Sequence, residues 1–337
     1  MPLLEIEDLK VYYRSFVGIT HAVDGISFTL EAGQSLGLVG ESGCGKSTVA
    51  RGIIRIMDRN AFIAGGKVIF DGEDLVGFSE DRIRNIRWRD LSLIPQAAMD
   101  SLNPVYPVID AFNEILTLKG RMDLCSAKRR AKELFLMVGL DPKRLHDYPH
   151  EFSGGMKQRA IIALALALNP KLIIADEPVT ALDVIVQNQI LTEIKRLQQK
   201  FKVALIMITH DISVVAQTCD IIAVMYAGKL VEKGTAVDIL KNAAHPYTLG
   251  LENAFPNLNN PNKSLIAIEG FPPNLVNPPK GCRFASRCPF KIQECQQKEP
   301  ILKEVSVGHY SACFRLNEIE KIREKAREEK TWTTANS

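Results

Sequence analysis

A glycine-rich segment that directly follows a short apolar run is the feature that most constrains this fold. The apolar run is Ser35–Val39, and the next nine residues, 40–48, read GESGCGKST and match the pattern G-x-x-x-x-G-K-[ST]. A strand that turns through such a loop into a helix directs backbone N–H groups and the positive end of the helix at one point. The segment therefore predicts a phosphate-binding loop, with a glycine-rich turn that binds nothing as the competing interpretation.

Each residue type in this loop has a chemical reason to be there. Gly40, Gly43 and Gly45 let the backbone bend so that its N–H groups point at phosphate oxygens. Lys46 is predicted to contact the β- and γ-phosphates of a nucleotide, and the Ser47 hydroxyl is predicted to ligate Mg²⁺. The predicted nucleotide-binding residues of the segment are Gly40, Ser42, Gly43, Cys44, Gly45, Lys46, Ser47 and Thr48.

Two adjacent acids follow a second apolar run. Leu172–Ala175 reads as a strand, and Asp176 and Glu177 stand before Pro178, which helps to end that strand. Because consecutive side chains of a strand point in opposite directions, both acids reach one site only if the strand ends there. We expect Asp176 to support Mg²⁺ and Glu177 to polarise the attacking water; two solvated acids at a strand end are the alternative.

A third short motif, Ser153-Gly154-Gly155, precedes an apolar helical stretch that reaches Leu168. Ser153 is a good N-cap residue, and the two glycines leave the backbone N–H groups accessible to an anion. Taken alone, such a triplet is more often an ordinary turn. Its interpretation therefore depends on the motifs that accompany it.

Apolar runs alternate with helical stretches through the first two thirds of the chain. The strand-like runs are 35–39, 172–175, 203–209 and 221–226, and the helical stretches include 47–58 and 183–200. This alternation predicts an α/β fold with a mostly parallel sheet. After His245, prolines and asparagines accumulate and break every candidate element as far as Gly281. We expect a large domain at 1–240, a proline-rich linker at 241–281, and a small irregular cysteine-bearing module with a charged tail at 282–337.

Composition and charge exclude several classes of protein. Apolar residues make up 46% of the 337 residues and charged residues 24%, which argues against disorder and fibrous repeats. A net charge of +3 is too small to imply a nucleic-acid partner. The longest apolar run, Ala160–Leu168, is shorter than the roughly 20 residues that cross a bilayer. We therefore expect a cytosolic chain that reaches a membrane only through a partner.

Taken in order, the motifs resemble the nucleotide-binding domain of ABC transporters. The set comprises the phosphate loop, Gln96 after the strand 91–95, Ser153-Gly154-Gly155, Asp176-Glu177, Ala181-Leu182-Asp183 and His210. The resemblance covers roughly residues 3–240 and implies ATP, Mg²⁺ and a mixed sheet with flanking helices and a helical subdomain around 97–165. It also implies head-to-tail dimers, in which each ATP lies between one chain's phosphate loop and the other chain's Ser153–Gly155.

The same resemblance assigns roles to isolated residues. Tyr13 is similar to the aromatic residue that stacks on adenine, with Tyr12 as the alternative. Gln96 is similar to the glutamine that senses Mg²⁺ and water, His210 to the histidine that reaches the γ-phosphate, and Asp183 to the acid that communicates across the dimer. The predicted catalytic residues are thus Glu177, His210 and Gln96, and the predicted Mg²⁺ ligands are Ser47, Gln96 and Asp176.

A narrower resemblance identifies the transported substrate. The segments 99–104, 152–159, 245–248, 281–284 and 287–289 are similar to ATPase subunits of oligopeptide and dipeptide importers. The common ABC signature is LSGGQ, whereas Phe152 and Met156 flank the central residues here; because that centre is intact, we expect activity to be retained. Importers of nickel or sugars and soluble ABC ATPases of repair or translation are the alternatives, together with a redox or nucleic-acid-binding metalloprotein.

The peptide-importer resemblance also implies partners. They are a second ABC ATPase subunit, two integral membrane permease subunits and, indirectly, an external peptide-binding protein. No nucleic acid is expected among them. The expected location is the cytoplasmic face of the cell membrane, as a peripheral subunit.

Four cysteines lie in the last fifth of the chain with the spacing C-x5-C-x6-C-x17-C. They are Cys282, Cys288, Cys295 and Cys313. Four thiolates suit iron–sulfur or zinc, but zinc modules usually contain close C-x2-4-C pairs. The long, unequal gaps and the resemblance to subfamily members with [4Fe-4S] clusters favour a cluster over zinc or unmetallated thiols. We expect the cluster to hold the C-terminal module together and to take no part in ATP hydrolysis.

Overall fold

A computed structural model of this chain describes residues 1–96, 100–180, 182–254 and 268–333. The strands are β1 (Leu4–Ser15), β2 (Gly18–Leu30), β3 (Ser35–Val39), β4 (Ala61–Phe70), β5 (Glu73–Asp74), β6 (Leu91–Ile94), β7 (Leu172–Asp176), β8 (Ala204–Thr209), β9 (Ile221–Tyr226), β10 (Lys229–Thr235), β11 (Lys303–Ser306) and β12 (His309–Ser311). The helices are α1 (Lys46–Ile54), α2 (Glu80–Ile86), α3 (Val108–Glu114), α4 (Leu124–Met137), α5 (Gly154–Ala165), α6 (Val184–Phe201), α7 (Ile212–Thr218), α8 (Ala236–Lys241), α9 (Pro246–Ala254), α10 (Gln293–Gln297), α11 (Ile319–Ala326) and α12 (Glu329–Thr333). None of the described helices is long and apolar enough to span a bilayer.

The predicted strands and helices are present, with small shifts at their ends. β3 and β9 have the predicted bounds, whereas β7 continues to Asp176 and β8 begins at Ala204. α1 ends at Ile54 rather than at Asp58, because Arg55 adopts a left-handed conformation with φ 56° and its N–H bonds to carbonyls of the last turn. The alternation of strands and helices confirms the predicted α/β class.

One compact unit contains residues 1–4, 30–35 and 70–208. Its strands β6, β7 and β8 are parallel, with Leu91 opposite Leu172 and Leu172 opposite Ala204. Every residue of β7 and β8 is buried, which explains why these strands read as continuous apolar runs. Because β6 and β7 are parallel and in register, the residues that follow them meet at one edge of the sheet.

Helices α3 to α6 of this unit pack through apolar faces. The buried stripe of α6 consists of Ile190, Leu191, Ile194 and Leu197. Three phenylalanines from the chain segment that connects β6 to α5 pack together. The ring of Phe135 lies 5.5 Å from that of Phe112 and 6.5 Å from that of Phe152, edge to face in both pairs. Helices α3, α4 and α5 fall within residues 97–165, where a helical subdomain is predicted, and α6 lies beyond them; residues 97–99 lie outside the described ranges.

The second compact unit contains residues 5–29, 36–69 and 209–337. Its larger sheet has the strand order β11-β12-β10-β9-β3, and β2, β1 and β4 neighbour one another in a separate sheet. β3 pairs with β9 in parallel, whereas β9 with β10, β10 with β12, and β12 with β11 are antiparallel. The larger sheet is therefore mixed, as the resemblance implied, and its outer strands come from the C-terminal residues.

The C-terminal part of the chain is more regular than the sequence predicts. The expectation that prolines break every element after His245 was wrong for α9, because Pro246 occupies its first position, where a missing N–H removes no helical bond. The predicted boundaries at 240 and 281 both fall inside the second unit. Residues 255–267 of the predicted linker and 334–337 of the predicted tail lie outside the described part of the chain.

A buried carboxylate connects β10 to the start of α9. Glu232 accepts hydrogen bonds from the backbone N–H groups of Ala244 and His245 at 2.6 and 3.0 Å, and His309 Nε2 lies 2.7 Å from the same side chain. Burial lowers the pKa of His245 to about 3, so its neutral ring accepts the Tyr247 N–H at Nδ1, 3.1 Å away. The Glu232 carboxylate thus fixes the point where α9 begins.

Candidate active site

The predicted phosphate loop lies between β3 and α1, in the second unit. Gly40 has φ +152° and Gly45, the N-cap of α1, has φ +104°, a region that L residues rarely adopt. A Cβ at Gly40 would lie 2.1 Å from the Met225 carbonyl oxygen, and one at Gly45 would lie 2.2 Å from that of Ala22. Both positions therefore require glycine for conformation and for space, as the loop prediction expected.

Lys46 turns its side chain back over the loop. It is buried, with 6% of its surface exposed, and its Nζ donates to the carbonyl oxygens of Gly40 at 2.7 Å and Glu41 at 3.0 Å. An ammonium group held in this way places a positive charge inside the curve of the loop. That is where a phosphate chain would lie if the backbone N–H groups bind it.

Tyr12 and Tyr13 have different surroundings. Tyr12 donates to Asp24 at 2.6 Å and stacks on His21 with the ring centroids 4.2 Å apart; burial and that carboxylate raise the pKa of its hydroxyl. Tyr13 is half-buried, and its hydroxyl lies 3.3 Å from that of Thr48, the last residue of the loop motif. Tyr12 is thus engaged in a cluster of its own, and the geometry favours Tyr13 for a contact near the nucleotide.

The adjacent acids lie at the end of β7, in the first unit. Asp176 is the last residue of the strand and has 6% of its surface exposed. Glu177 leaves the extended conformation with φ +49°, and its N–H donates to the Ile208 carbonyl oxygen at 2.9 Å. The strand therefore ends between the two acids, as the prediction required. A left-handed conformation is uncommon in residues other than glycine, and such residues are found more often at functional sites than elsewhere.

Gln96 and Glu177 are brought together although 81 positions separate them. Gln96 Nε2 donates to Glu177 Oε2 at 3.1 Å, and the hydroxyl of Thr180 donates to the same oxygen, also at 3.1 Å. The reason is topological, because the two residues follow the parallel neighbours β6 and β7. Thr180 was missed by the sequence analysis; its position three residues after Glu177, within one turn, was the available signal.

The Ser153-Gly154-Gly155 motif forms the start of α5. The exposed Ser153 is its N-cap, and the Ser153 hydroxyl accepts the Met156 N–H at 3.4 Å, which confirms the predicted cap. Phe152 is 5% exposed and packs on Phe135, with Arg144 5.5 Å above its ring. The departure from LSGGQ at this position is therefore a packing feature of the helical region.

Asp183 is the N-cap of α6 and accepts the N–H groups of Ile185 and Val186 at 3.1 and 3.0 Å. Val184 and Ile185 each expose 72% of their surface at this helix end. A Cβ on Gly155 would lie 2.9 Å from Val186, so the starts of α5 and α6 are close together. The first unit thus presents Asp183 and two exposed apolar side chains near the Ser153 motif.

The remaining predicted residues divide between the two units. His210 is exposed immediately after β8, in the second unit, together with the phosphate loop and Tyr13. Gln96, Ser153, Asp176, Glu177 and Asp183 belong to the first unit. Met99 of the peptide-importer motif and Ala181 of the Ala-Leu-Asp motif lie outside the described residues.

The four C-terminal cysteines are near enough to influence one another. The Cys282 N–H donates to the Cys295 carbonyl oxygen at 2.8 Å, and the Arg315 N–H donates to Cys313 Sγ at 3.4 Å. Burial raises the pKa of the Cys282 thiol to about 11 and also raises the pKa of Cys288 and Cys313; neighbouring thiolates add to each of these increases. Among the described residues, no three Cys, His, Asp or Glu side chains are arranged to hold a metal ion.

Glu41, Tyr247 and Arg287 form a contact at the phosphate loop that the sequence analysis missed. The Glu41 N–H donates to the Tyr247 hydroxyl at 2.9 Å, and Arg287 Nη1 donates to Glu41 Oε2 at 2.8 Å. Glu41 and Arg287 are 246 positions apart, and no local pattern links them. Of these three residues, Tyr247 and Arg287 belong to the motifs that resemble peptide-importer ATPases, and Glu41 belongs to the phosphate loop.

Comparison with known proteins agrees with these motifs. Residues 23–180 match the family model described as ABC transporter, and residues 231–295 match the one described as oligopeptide/dipeptide transporter, C-terminal region. Among solved structures, the ATP-binding cassette MJ0796, a dimer in a post-hydrolysis state with ADP and phosphate, is 26% identical. It has a TM-score of 0.62, and the match covers 69% of this chain and 98% of that one.

Full-length relatives are closer in sequence. A probable peptide ABC transporter ATP-binding protein of Sinorhizobium fredii is 44% identical over 94% of this chain and 96% of its own length. The oligopeptide transport ATP-binding protein OppD of Bacillus subtilis is 44% identical over 94% of this chain and 89% of its own length. The dipeptide transport ATP-binding protein DppD of the same organism is 43% identical over 93% of this chain and 94% of its own length. The chain belongs to the oligopeptide/dipeptide family of ABC transporter ATP-binding proteins, and it is the ATPase of such an importer.

Proposed function

We propose that this chain hydrolyses ATP at a site completed by a second ABC ATPase subunit, and that closure of the pair energises peptide import. The observation that carries the proposal is the 3.1 Å contact between Gln96 Nε2 and Glu177 Oε2. It holds a carboxylate at the carboxyl end of a parallel strand, directly after the buried Asp176. A fixed carboxylate that can accept a proton from water is what phosphoryl transfer to water requires.

The chain's own residues divide the work as follows. Lys46 and the loop N–H groups bind the phosphates, while Tyr13 stacks on the adenine. Glu177 accepts the proton of the attacking water, and Gln96 keeps its carboxylate in position. The proposed contact of His210 is with the γ-phosphate.

The residues proposed for Mg²⁺ fit that ion. Ser47, Gln96 and Asp176 offer hydroxyl, amide and carboxylate oxygens, which are the ligands that Mg²⁺ prefers. When bound, Mg²⁺ neutralises the charge that develops on the phosphate oxygens. Asp176 supplies the full negative charge of this set from a position with 6% of its surface exposed. Burial of that carboxylate strengthens its attraction for a cation.

The second subunit is proposed to cover the surface around Ser153 and Asp183. Ser153 is exposed, and Val184 and Ile185 beside Asp183 expose 72% each, an arrangement that suits a protein interface. In this proposal Ser153, Gly154 and Gly155 contact ATP bound to the other subunit. The dimeric form of the related cassette MJ0796 supports a paired arrangement. The further proposed partners are two permease subunits and an external peptide-binding protein, with this chain peripheral at the cytoplasmic face.

Mixed dimers test the composite site. We expect Lys46→Ala and Ser153→Arg proteins to be inactive alone and to recover one intact site per dimer when they are mixed as verified heterodimers, measured as ATP hydrolysis. A mixture of Lys46→Ala with Glu177→Gln is the matched control and should not recover, because both residues are proposed to act on the ATP of their own chain. Absence of recovery in verified Lys46→Ala/Ser153→Arg dimers would contradict the head-to-tail arrangement.

The C-terminal cysteines are proposed to bind a [4Fe-4S] cluster. One zinc ion needs its thiolates about 2.3 Å from one point, and the described side chains do not offer such a group. The spacing C-x5-C-x6-C-x17-C lacks the close pairs of zinc modules and supports a cubane, which spreads four thiolates over its corners. We also propose a division of the chain into a nucleotide-binding domain at 1–240, a linker at 241–281 and a cysteine module at 282–337.

Iron content tests the cluster. Protein purified without oxygen should contain about four irons per chain, and Cys288→Ser should lose that iron and make the C-terminal segment more sensitive to protease. Cys125→Ser is the matched control, because Cys125 is exposed on α4 and outside the set, and it should keep the iron. Stoichiometric zinc without iron in anaerobic protein would overturn the assignment.

A further inference from the structure

Glu41, the second residue of the phosphate loop, is held through its side chain by an arginine from residues 282–313, which contain the four C-terminal cysteines and are called the cysteine segment. Arg287 Nη1 donates to Glu41 Oε2 at 2.8 Å; the side chains are 5% and 27% exposed, respectively. A charged pair that is largely removed from water is costly to break, because the remaining charge stays buried. The contact is therefore a firm attachment of the loop to the residue that precedes Cys288.

The guanidinium group of Arg287 is itself fixed. Its Nη1 also donates to the Tyr226 hydroxyl at 3.2 Å, its Nε to the Glu269 carbonyl oxygen at 2.9 Å, and its Nη2 to that of Ile268 at 3.0 Å. Each nitrogen of the guanidinium thus has an acceptor. Because these acceptors fix the Arg287 side chain, a shift of the Arg287 backbone would also shift Glu41. A mobile surface arginine would not couple the two residues in this way.

Glu41 is held a second time through its main chain. Its N–H donates to the hydroxyl of Tyr247 at 2.9 Å, and Tyr247 is fully buried against Tyr226 and Phe284, with ring centroids 4.6 and 5.4 Å away. Because that N–H is occupied by Tyr247, Glu41 serves the loop as an anchor and leaves phosphate binding to the N–H groups that follow it.

The arginine that follows Cys282 makes a parallel connection. Arg283 is 5% exposed and donates to the Ala227 carbonyl oxygen and to Asp24. The next residue, Gly228, donates its N–H to the carbonyl oxygen of Cys44 at 2.9 Å. Both arginines adjacent to the cysteines therefore lead to the phosphate loop, one by direct contact and one through a neighbouring turn.

We propose that Arg287, together with Tyr247, is a positioning residue of the phosphate loop, and that through it the cysteine segment and the nucleotide affinity are coupled. A loop anchored at Glu41 is preorganised for phosphate, whereas a released loop loses affinity because binding must then order it. Coupling is reciprocal, so a bound nucleotide also stabilises the cysteine segment. The proposal rests on the proposed ATP site, and it departs from the expectation that the cysteine segment does not serve hydrolysis.

Nucleotide affinity tests this proposal in the full chain. We expect Arg287→Ala to weaken MgADP binding about tenfold, within the range of couplings between sites, with kcat at saturating ATP changed by less than about threefold. Arg287→Lys should recover part of the affinity. Arg315→Ala is the matched control, because Arg315 is also within two residues of one of the four cysteines but pairs with Glu318 and the Phe290 carbonyl oxygen, and it should bind MgADP like wild type.

A double-mutant cycle separates positioning from general damage. Glu41→Gln removes the negative charge of the same pair from the loop side, so Glu41→Gln combined with Arg287→Ala should weaken MgADP binding no further than Arg287→Ala alone. Additive losses, or wild-type affinity in Arg287→Ala, would overturn the positioning role while leaving the ATPase assignment intact. If the wild-type protein failed to bind MgADP, the proposed function itself would fail. Should Arg287→Ala not fold, the same cycle with Arg287→Lys in its place provides the comparison, because it alters the same pair with Glu41.

Discussion

Replacement of Glu177 by Gln is expected to slow ATP hydrolysis by about 10²- to 10⁴-fold while ATP binding is retained. The loss corresponds to about 3 to 5 kcal/mol of transition-state stabilisation. The physical reason is that an amide cannot accept the proton of the attacking water. Its oxygen can still accept hydrogen bonds from Gln96 Nε2 and from the Thr180 hydroxyl, so the local geometry should persist.

Single-turnover hydrolysis and equilibrium nucleotide binding, measured on the same preparation, separate these two effects. Glu133→Gln is the matched control, since Glu133 is an exposed carboxylate on α4 and should leave both quantities unchanged. A Glu177→Gln protein that hydrolyses ATP at the wild-type rate would remove Glu177 from the role of general base. A protein that lost ATP binding as well would instead indicate a role in binding.

Substitution of Gly45 by Ala should abolish nucleotide binding and destabilise the fold. The new Cβ would lie 2.2 Å from the Ala22 carbonyl oxygen at a φ of +104°, so the backbone must move away from both constraints. Strain of this kind combined with a backbone clash costs about 3 kcal/mol or more. Because Gly45 caps α1 directly before Lys46, the displacement also misplaces the lysine and the helix end. We expect a loss of MgADP affinity of at least about 100-fold.

Gly72→Ala is the control that separates the steric clash of a new Cβ from the cost of placing alanine at a positive φ. Gly72 has a comparable positive φ of +83°, but no heavy atom lies within 4 Å of the Cβ that it would gain. This control should lose only about 1 kcal/mol of stability and retain nucleotide affinity. Thermal unfolding followed by nucleotide titration provides both measurements. Gly45→Ala protein with wild-type affinity would contradict the described loop geometry.

Much of the candidate site could be predicted because its motifs are local. The phosphate loop is a contiguous segment whose glycines, lysine and following helix prescribe their own geometry. The strand end at Asp176 and the cap at Ser153 depend on residues within three or four positions. Such features need only backbone sterics and nearby hydrogen bonds, which the order of residue types specifies.

Other features depended on which elements become neighbours. Gln96 reaches Glu177 because β6 and β7 are adjacent parallel strands. Helix α9 departs from the prediction that prolines end every element, because Pro246 occupies its first position, where a proline removes no helical hydrogen bond.

The sequence by itself determined the class of fold, the nucleotide chemistry and the family to which the chain belongs. Only the tertiary structure decided that Glu41 is anchored by Tyr247 and Arg287, residues more than 200 positions away. The physical reason is the range of the interactions. Local conformation is set by neighbours within a few residues, whereas a hydrogen bond between distant residues exists only after strand order and core packing have brought both partners to the same place.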